Sequence, residues 1–448
     1  MSNLVLSPIQ AEPSHPLQGI LCAPGDKSIS HRALILAALS AGCSNIQGLL
    51  TADDLTHTAS ALRQCGVSIT LGATGTCVVE GVGLSGLCEP SNIIDLGNSG
   101  TAARLLMGVV ASHAIHVTFT GDESLRGRPM ARVAVPLMQM GASVTTARHG
   151  GMPVSIDGAI TPIPITYRLP VPSAQIKSAV LLAGLNAPGK TTVIETLSTR
   201  DHTENLLRVF GAEVSTEAIG SESHIALVGQ PELRAQDVIV PGDPSSAAFP
   251  LVAALITRDS KVTVQGVGVN ERRAGLFQCL LEMGAELTID PIETACGEPV
   301  ANIMARTSSL KGIEVPAERA PSMIDEYPIL AMAAACAHGA TVMHGLGELR
   351  LKESDRLAAI VEGLRECGVE TLVEEDSLTV VGAGPDNIPE GGGRIVTQHD
   401  HRIAMAFLTL GLAAKKAIIV DDGSMIASSY PGFVGDMSVL GASFSGSG

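Results

Sequence analysis

Hydrophobic and polar positions along this chain of 448 residues follow two alternating patterns. Leu55 to Leu62 and Leu357 to Leu364 carry apolar residues at the spacing of a helix, whereas Ile115 to Phe119 and Thr191 to Ile194 are β-rich runs. The order strand, helix, strand, helix and further strands then begins again. The pattern therefore predicts an α/β protein built from one recurring unit.

Two local signatures mark the repeats. The first is a Gly-, Pro- or Ser-rich turn that runs into an apolar helical stretch, and its copies begin at Pro24, Gly97, Pro172, Pro241, Pro321 and His399. The second is a glycine that ends a helix before a β-like run, at Gly66, Gly141, Gly211, Gly284, Gly368 and Gly441. Both series recur at roughly 75 residues, which predicts six units.

A single unit with two helices cannot bury both of its faces, so the six units are expected to group as three and three. A TIM barrel would need eight units of about 30 residues. A Rossmann domain would need a GxGxxG turn that leads from a strand into a helix, and the GxGxxG at Gly81 to Gly86 runs into Pro90 and not into an apolar helical stretch. Both alternatives fit the pattern less well than the sixfold repeat.

Composition narrows the class of protein. The chain has no Trp, three Tyr and seven Phe, so the core must consist mainly of Ala, Val, Leu, Ile and Met. Nine cysteines without CxxC spacing favour reduced thiols in the cytoplasm, and Met1 to Pro16 shows no signal peptide. The longest apolar stretch, Ile403 to Ala414, is too short to span a bilayer. The net charge of −16 argues against nucleic acid as a partner.

The first helix start carries the clearest candidate chemistry. Lys27 and Arg32 lie about one turn apart near the positive end of a helix dipole, and Ser28 is expected to cap that helix. Such a start binds anions. The alternative without a binding function is a capped helix whose two cations are solvated.

Other helix starts carry similar groups. Asn98 to Thr101 opens a helix and offers free backbone N–H groups. At another helix start, a capping role accounts for the presence of Ser173 but less well for that of Gln175 and Lys177. Lys352 and Arg356, at i and i+4, are expected on one helix face, although ion pairs with neighbouring acids would explain them too. If these helix starts meet in one cleft, they would bind a small substrate with several negative charges.

The run from His399 to Arg402 invites a metal hypothesis. Contiguous residues of a helix point in different directions, and the cysteines have no matching spacing. No metal is predicted.

Three segments closely resemble the signatures of the EPSP synthases. They are Pro24 to Arg32, Leu96 to Arg104 and Arg350 to Arg356, and further blocks match around Ser173, Ser322 to Tyr327 and Asp400 to Arg402. The stretch Ser198 to Thr203 is most similar to the second class of the family, which includes glyphosate-tolerant members. The likeness covers essentially the whole chain.

The resemblance implies a two-domain enolpyruvyl transferase fold with three βαβαββ repeats in each domain. The first domain is expected to comprise residues 1–22 and 243–448, the second residues 23–242, with a hinge near 20–25 and 239–244. The implied activity is transfer of the enolpyruvyl group of phosphoenolpyruvate to the 5-hydroxyl of shikimate 3-phosphate, with release of phosphate. The protein is expected to be a cytoplasmic monomer that needs no cofactor and binds neither membrane nor nucleic acid.

The resemblance also implies which residues form the substrate sites, because each family motif matches defined positions of this sequence. The shikimate 3-phosphate site is expected to comprise Lys27, Ser28, Arg32, Ser173, Ala174, Gln175, Arg200, Asp325 and Lys352. The phosphoenolpyruvate site is expected to comprise Lys27, Gly100, Arg128, Gln175, Arg356 and Arg402. Asp325 is expected to be the base and Glu353 the acid, with Lys27 also catalytic.

The chain departs from the family pattern at two places. Many members have a Lys shortly before a Phe-Pro pair where this chain has Ser428 to Pro431, and often an Asn at the position of Glu348. The nearest alternative enzyme, UDP-N-acetylglucosamine enolpyruvyl transferase, typically has a reactive Cys in the region of Gly121 to Met130, and this chain has none there. A non-catalytic repeat scaffold would explain the repeats but not the charged helix starts.

Overall fold

A computed structural model describes residues 7–384 and 388–446. Residues 1–6 belong to the segment in which no signal peptide is predicted, and they lie outside the described part. Numbered in chain order, the strands are β1 Ile9–Glu12, β2 Gln18–Cys22, β3 Ala41–Gln47, β4 Ser68–Leu71, β5 Cys77–Val82, β6 Ile94–Asp95, β7 His116–Thr120, β8 Ser143–Thr146, β9 Val154–Asp157, β10 Thr166–Arg168, β11 Lys190–Glu195, β12 Val214–Ile219, β13 Glu222–Val228, β14 Val238–Ile239, β15 Lys261–Gly268, β16 Glu286–Ala295, β17 Glu298–Arg306, β18 Glu314–Val315, β19 His338–Met343, β20 Glu370–Glu374, β21 Ser377–Ala383, β22 Arg394–Ile395, β23 Ile418–Val420 and β24 Ser443–Gly446.

The helices complete the list of elements. They are α1 Lys27–Leu39, α2 Asp53–Gln64, α3 Gly100–Ala111, α4 Glu123–Gly127, α5 Ala131–Gln139, α6 Ala174–Gly184, α7 His202–Val209, α8 Pro244–Ile256, α9 Gly275–Glu282, α10 Ala320–Met323, α11 Tyr327–Ala335, α12 Arg356–Glu366, α13 His401–Gly411 and α14 Phe433–Val439. Short 3₁₀ turns lie at Ala317–Arg319, Gly347–Leu351 and Ser424–Ser428.

The strands form six four-stranded sheets, which confirms the predicted sixfold repeat. The strand orders are β14-β3-β5-β4, β6-β7-β9-β8, β10-β11-β13-β12, β16-β17-β15-β2, β18-β19-β21-β20 and β22-β23-β1-β24. Each sheet has one parallel pair at an edge. A parallel pair requires a crossover connection, and helices supply it here.

The chain divides into two compact units. Unit 1 comprises Met1–Pro24, Gly242–Glu293 and Pro299–Gly448, and unit 2 comprises Gly25–Pro241 and Thr294–Glu298. The sequence prediction placed residues 294–298 with residues 243–448. These residues instead group with unit 2, where a Cβ placed on Gly297 would lie 3.4 Å from Asn205 Cβ and 3.5 Å from Val209 Cγ2, both on α7.

Each unit has its own apolar core. In unit 2 the core helices α1, α3 and α6 are buried over most of their length, and in unit 1 the same holds for α8, α11 and α13. These helices are apolar on nearly all sides, as expected of helices enclosed by other elements. The residues at their starts are therefore held by a rigid core.

The other large helix of each repeat is amphipathic and ends at a glycine. α2, α5, α7, α9, α12 and α14 are each followed, one residue beyond the C-cap, by a glycine with φ between 76° and 108°. A residue with a Cβ rarely adopts this conformation. The six glycines named as helix ends in the sequence are confirmed in that role.

Candidate active site

The start of α1 is built differently from the prediction. Asp26, not Ser28, is the N-cap, and its side chain accepts a hydrogen bond from Ile29 N–H at 2.8 Å. The predicted cap at Ser28 is therefore wrong, because Ser28 is already the second helical residue. Lys27 begins the helix and its Nζ lies 2.5 Å from Asp54 Oδ2. The carboxylate of Asp54, at the start of α2, is a partner that sequence reasoning missed.

Arg32 is buried, and each nitrogen of its guanidinium group donates one hydrogen bond. Its Nε donates to Thr203 Oγ1 and its Nη2 to Ser178 Oγ, both at 2.7 Å, and its Nη1 donates to the Ser28 carbonyl at 2.9 Å. Burial lowers the pKa of Arg32 to about 10, and the nearby carboxylates of Glu204 and Asp26 oppose this. Arg32 stays charged at neutral pH in a well-defined position.

Two further guanidinium groups surround the start of α3. A Cβ placed on Gly100 would lie 2.9 Å from Arg128 Nη1 and 3.1 Å from Arg104 Nη1. Arg104 Nη1 donates to Gln175 Oε1 at 2.7 Å, and Gln175 Nε2 donates to Thr101 Oγ1 at 3.1 Å. Gly100, Arg128 and Gln175 were predicted separately, and Arg104 links two of them. Arg104 was missed, although it closes the second signature segment.

Arg128 is the C-cap of α4 and is 7 % exposed. It donates from Nη2 to Asn98 Oδ1 at 2.5 Å and from Nη1 to the Asn98 carbonyl at 3.2 Å. Asp122 fixes Asn98 in turn, because Asn98 Nδ2 donates to Asp122 Oδ2 at 2.6 Å. Arg128 is therefore a buried cation in a fixed position and not a solvated surface charge.

The start of α6 joins these groups within unit 2. Ser173 is the N-cap and accepts from Ile176 N–H at 3.4 Å, and Ala174 and Gln175 are the first two helical residues. Lys177 is fully buried, and its Nζ lies 3.2 Å from Glu195 and 2.7 Å from Glu204. Lys177 is therefore a structural cross-link and not a ligand-facing cation.

Unit 1 holds a second charged cluster, centred on Arg356. Its Nε and Nη2 donate to the two oxygens of Asp400, at 2.8 and 3.3 Å. Its Nη1 donates to Asp325 Oδ1 at 3.1 Å, and its Nη2 donates to Glu353 Oε2 at 2.5 Å. Burial would lower the pKa of Arg356, but the carboxylates of Asp400, Glu353 and Asp325 outweigh it and raise the pKa.

Lys352 and Arg402 complete this cluster by a route that differs from the prediction. Lys352 follows a 3₁₀ turn, and α12 begins only at Arg356, so the predicted shared helix face is wrong. The two side chains nevertheless meet at Asp325, since Lys352 Nζ lies 3.4 Å from Asp325 Oδ1. Arg402 Nη1 donates to the Asp325 carbonyl at 3.3 Å.

Asp400 is a residue of this cluster to which sequence reasoning gave no role. It caps α13, accepting from Arg402 N–H at 2.9 Å, while it binds Arg356 from the same carboxylate. It is 0 % exposed. Its place at the helix start, directly before His401 and Arg402, was the signal available in the sequence.

A metal ion has one possible location among the described residues. Ligand atoms of Asp201, His202 and Glu298 lie within 4.8 Å of one another. His202 Nδ1 lies 2.9 Å from Glu298 Oε1, and Asn205 Nδ2 donates to the same oxygen at 3.0 Å. His202, Asn205 and Glu298 are thus joined by hydrogen bonds to one another. The metal hypothesis had concerned His399 to Arg402, where Asp400 instead caps α13 and binds Arg356.

The two departures from the family pattern have different surroundings. Ser428 is 7 % exposed and donates to the Met425 carbonyl at 2.7 Å, so it offers no cation in place of the Lys. Glu348 lies in the 3₁₀ turn Gly347–Leu351.

In the described part of the chain, no helix has both the length and the apolar composition needed to cross a bilayer.

Known proteins resemble this chain over almost its full length. The family model for EPSP synthase (3-phosphoshikimate 1-carboxyvinyltransferase) matches residues 11–437. The 3-phosphoshikimate 1-carboxyvinyltransferase of Rhodospirillum rubrum is 54 % identical over 98 % of each chain, and that of Methylobacterium sp. strain 4-46 is 55 % identical over 98 % of each chain.

Solved structures agree with the sequence matches. EPSP synthase from Acinetobacter baumannii superposes with a TM-score of 0.87 at 40 % identity, covering 99 % of this chain and 100 % of that one. The enolpyruvyl transferase NikO from Streptomyces tendae superposes with a TM-score of 0.77 at 19 % identity, covering 99 % of each chain. At 19 % identity, the similarity to NikO concerns the fold alone.

Proposed function

The chain belongs to the EPSP synthase family, and from this membership we propose which of its residues carry the reaction. It is a 3-phosphoshikimate 1-carboxyvinyltransferase of aromatic amino acid biosynthesis. It transfers the enolpyruvyl group of phosphoenolpyruvate to the 5-hydroxyl of shikimate 3-phosphate and releases phosphate. The substrates carry two phosphates and a carboxylate, which the buried cations of both units can neutralise.

The reaction proceeds by addition and elimination. The 5-hydroxyl loses its proton to a base and attacks C2 of phosphoenolpyruvate, while an acid delivers a proton to C3. The tetrahedral intermediate then loses a proton from the new methyl group, and its bond between C2 and the phosphate oxygen breaks. An acid and a base are therefore needed close together, among cations that stabilise the charge.

The observation that carries the assignment is that one buried guanidinium contacts both candidate carboxylates. Arg356 bonds to Asp325 and to Glu353, and its side chain is 1 % exposed, whereas theirs are 14 % and 19 % exposed. Solvent and substrate can thus reach the two carboxylates, while the guanidinium group that both contact is buried. We assign Asp325 as the base and Glu353 as the acid, and because both bond to Arg356 their titrations are coupled.

Substrate contacts are proposed for the remaining cations. In unit 2, Lys27, Ser28, Arg32, Ser173, Ala174, Gln175 and Arg200 contact shikimate 3-phosphate, and Lys27, Gly100, Arg128 and Gln175 contact phosphoenolpyruvate. In unit 1, Asp325 and Lys352 contact the first substrate, and Arg356 and Arg402 the second. Support comes from Arg128 beside Gly100 and from Arg402 and Lys352 beside Asp325.

The assignment predicts the behaviour of Asp325→Ala. Loss of a general base should lower turnover by about 10²- to 10⁴-fold while shikimate 3-phosphate still binds. Phosphate release from the two purified substrates measures turnover, and calorimetry measures binding. Asp290→Ala, a change at an exposed aspartate of β16, is the matched control. A loss of less than tenfold in Asp325→Ala would remove Asp325 as the base.

We further propose that the protein works as a cytoplasmic monomer without a cofactor. All nine cysteines are free thiols, as expected in a reducing compartment. Light scattering from the purified protein would give the mass of one chain. Activity that survives dialysis against a metal chelator would support the absence of a metal requirement.

A further inference from the structure

The first residue of β17 places a carboxylate against the start of α7. Residues Thr294–Glu298 group with unit 2. Glu298 is 1 % exposed, and its Oε1 lies 2.9 Å from His202 Nδ1 and 3.0 Å from Asn205 Nδ2. His202 and Asn205 are the first and fourth residues of α7. A side chain 96 residues away in the sequence therefore holds the first turn of this helix.

Arg200 lies between two anchored positions. On one side, the Thr199 carbonyl accepts from Lys177 Nζ at 3.4 Å, and the Thr199 hydroxyl bonds to Glu195. On the other side, His202 bonds to Glu298. Arg200 itself is only partly buried. The segment thus presents a guanidinium group from a backbone that is tied down on both sides.

The charges nearby suit an anionic ligand. Burial is the main effect that lowers the pKa of Arg32, and the positive charge of Arg200 lowers that pKa further. The carboxylate of Glu298 has the opposite effect. Arg32 Nε also donates to Thr203 Oγ1, three residues after Arg200, so the two cations belong to the same part of unit 2. Glu298 offsets part of the repulsion between them. A phosphate-bearing ligand would bind both guanidinium groups.

We propose that Glu298 is a positioning residue for shikimate 3-phosphate. Through His202 and Asn205 it fixes the start of α7 and so holds Arg200, beside Arg32, where both bind this substrate. The inference rests on the proposed contact between Arg200 and shikimate 3-phosphate. Glu298 lies outside the signature segments from which the site residues were predicted, and only the fold brings it to this position.

The test measures binding of shikimate 3-phosphate by calorimetry to the full-length protein. Glu298→Ala should weaken binding about tenfold, or ~1.4 kcal/mol, with the Michaelis constant for phosphoenolpyruvate changed less than about twofold. Glu293→Ala, which removes an exposed glutamate from the same hairpin, is the control and should bind as the wild type does. In an Arg200→Ala background, Glu298→Ala should add less than about twofold, because its effect passes through Arg200.

Several outcomes decide the matter. A tenfold weakening that persists in the Arg200→Ala background would overturn the proposal, as would a lower melting temperature with unchanged substrate affinity. Should Glu298→Ala fail to fold, Glu298→Gln keeps the side-chain volume and one acceptor oxygen. It should weaken binding about threefold, and wild-type affinity would count against the proposal. Wild-type protein that neither binds shikimate 3-phosphate nor releases phosphate would instead defeat the proposed function.

Discussion

Gly100 lies where two guanidinium groups approach the backbone. A methyl group at this position would come within 2.9 Å of Arg128 Nη1 and 3.1 Å of Arg104 Nη1, so one or both of these side chains would have to move. Both contacts are to the ends of flexible side chains, which makes the substitution tolerable for the fold. The change would act on whatever ligand those cations bind.

Gly100→Ala is therefore expected to change ligand selectivity. The inhibitor glyphosate occupies the phosphoenolpyruvate site in this family and is slightly longer than the substrate. The added methyl should weaken glyphosate more than phosphoenolpyruvate, with a steric penalty of ~1–3 kcal/mol. The ratio of the glyphosate inhibition constant to the Michaelis constant for phosphoenolpyruvate measures the effect. An unchanged ratio would mean that Gly100 does not determine tolerance in this enzyme.

His31 makes the stability of unit 2 depend on pH. Burial lowers its pKa from 6.5 to about 3, Asp54 opposes this, and Lys27 and Arg32 lower the pKa further. Its Nδ1 lies 2.7 Å from Thr58 Oγ1, and its Nε2 has no hydrogen-bond partner among the described residues. The unfolded state therefore binds a proton below pH 6.5 that the folded state does not, and stability falls as the pH drops from 6.5 towards 3.

His31→Asn removes this titration while keeping a polar atom near Thr58. Between pH 7.5 and 5.5, the wild type should lose about 1 kcal/mol more stability than the variant. Urea unfolding at the two pH values measures the difference. His15→Asn, at an exposed histidine, should follow the wild type. Equal pH dependence in His31→Asn and wild type would contradict the assignment.

At the scale of single elements, helix starts fix the charged groups of each unit. Asp355 caps α12, accepting from Ala358 N–H at 3.0 Å, and the next residue is the buried Arg356. Asp355 also accepts from Arg350 Nη1 at 3.0 Å, but both side chains are more than a third exposed, so this ion pair contributes little. The cap is the larger of its two roles.

Asp355→Ala should lower the free energy of unfolding by about 1 kcal/mol, whereas Asp355→Asn should stay within about 0.5 kcal/mol of the wild type. Asparagine caps a helix as well as aspartate does but carries no charge. Thermal unfolding of the three proteins separates the two roles. Equal losses in both variants would show that the ion pair, not the cap, matters.

Sequence reasoning was accurate for elements and less accurate for the side chains that fix them. The glycine that ends each amphipathic helix was identified, because a left-handed residue after a helix leaves a local signature. The cap of α1 was misplaced by two residues, since Asp26 and Ser28 are both good caps and only the backbone conformation decides between them. Lys352 was placed in a helix that begins four residues later, because the 3₁₀ turn before it has no comparable signature.

At the scale of the whole molecule, the sixfold repeat was predictable and the partners of the site residues were not. A repeat leaves the same local pattern six times in the sequence. Asp54, Arg104 and Glu298 are instead joined to their partners by contacts between distant segments, and such contacts leave no periodic signal. The residues expected to bind ligand were matched as motifs, whereas those that hold them required the fold.

The sheet that contains β1 predicts how the two units depend on residues 1–24. β1 lies between β23 and β24. Among residues 7–384 and 388–446, β24 pairs only with β1, and unit 2 uses no strand from this segment. A chain that lacks residues 1–24 should therefore lose ordered structure in unit 1 and keep it in unit 2. Hydrogen exchange followed by peptide mapping should show fast exchange confined to unit 1. Equal protection of the two units would contradict this expectation.

The same arrangement has a consequence for synthesis on the ribosome. Residues 25–241 of unit 2 emerge as one continuous stretch, but β1, made among the first residues, meets β24 only after Ser443–Gly446 has been translated. At ~5–20 residues per second, this interval lasts tens of seconds. Until β23 is made, both edges of β1 are unpaired, and until β24 is made, one edge stays open to strands of other nascent chains. A pause before β24 would prolong this exposure, so slow codons for residues 299–442 should increase aggregation more than the same codons within the segment for residues 25–241.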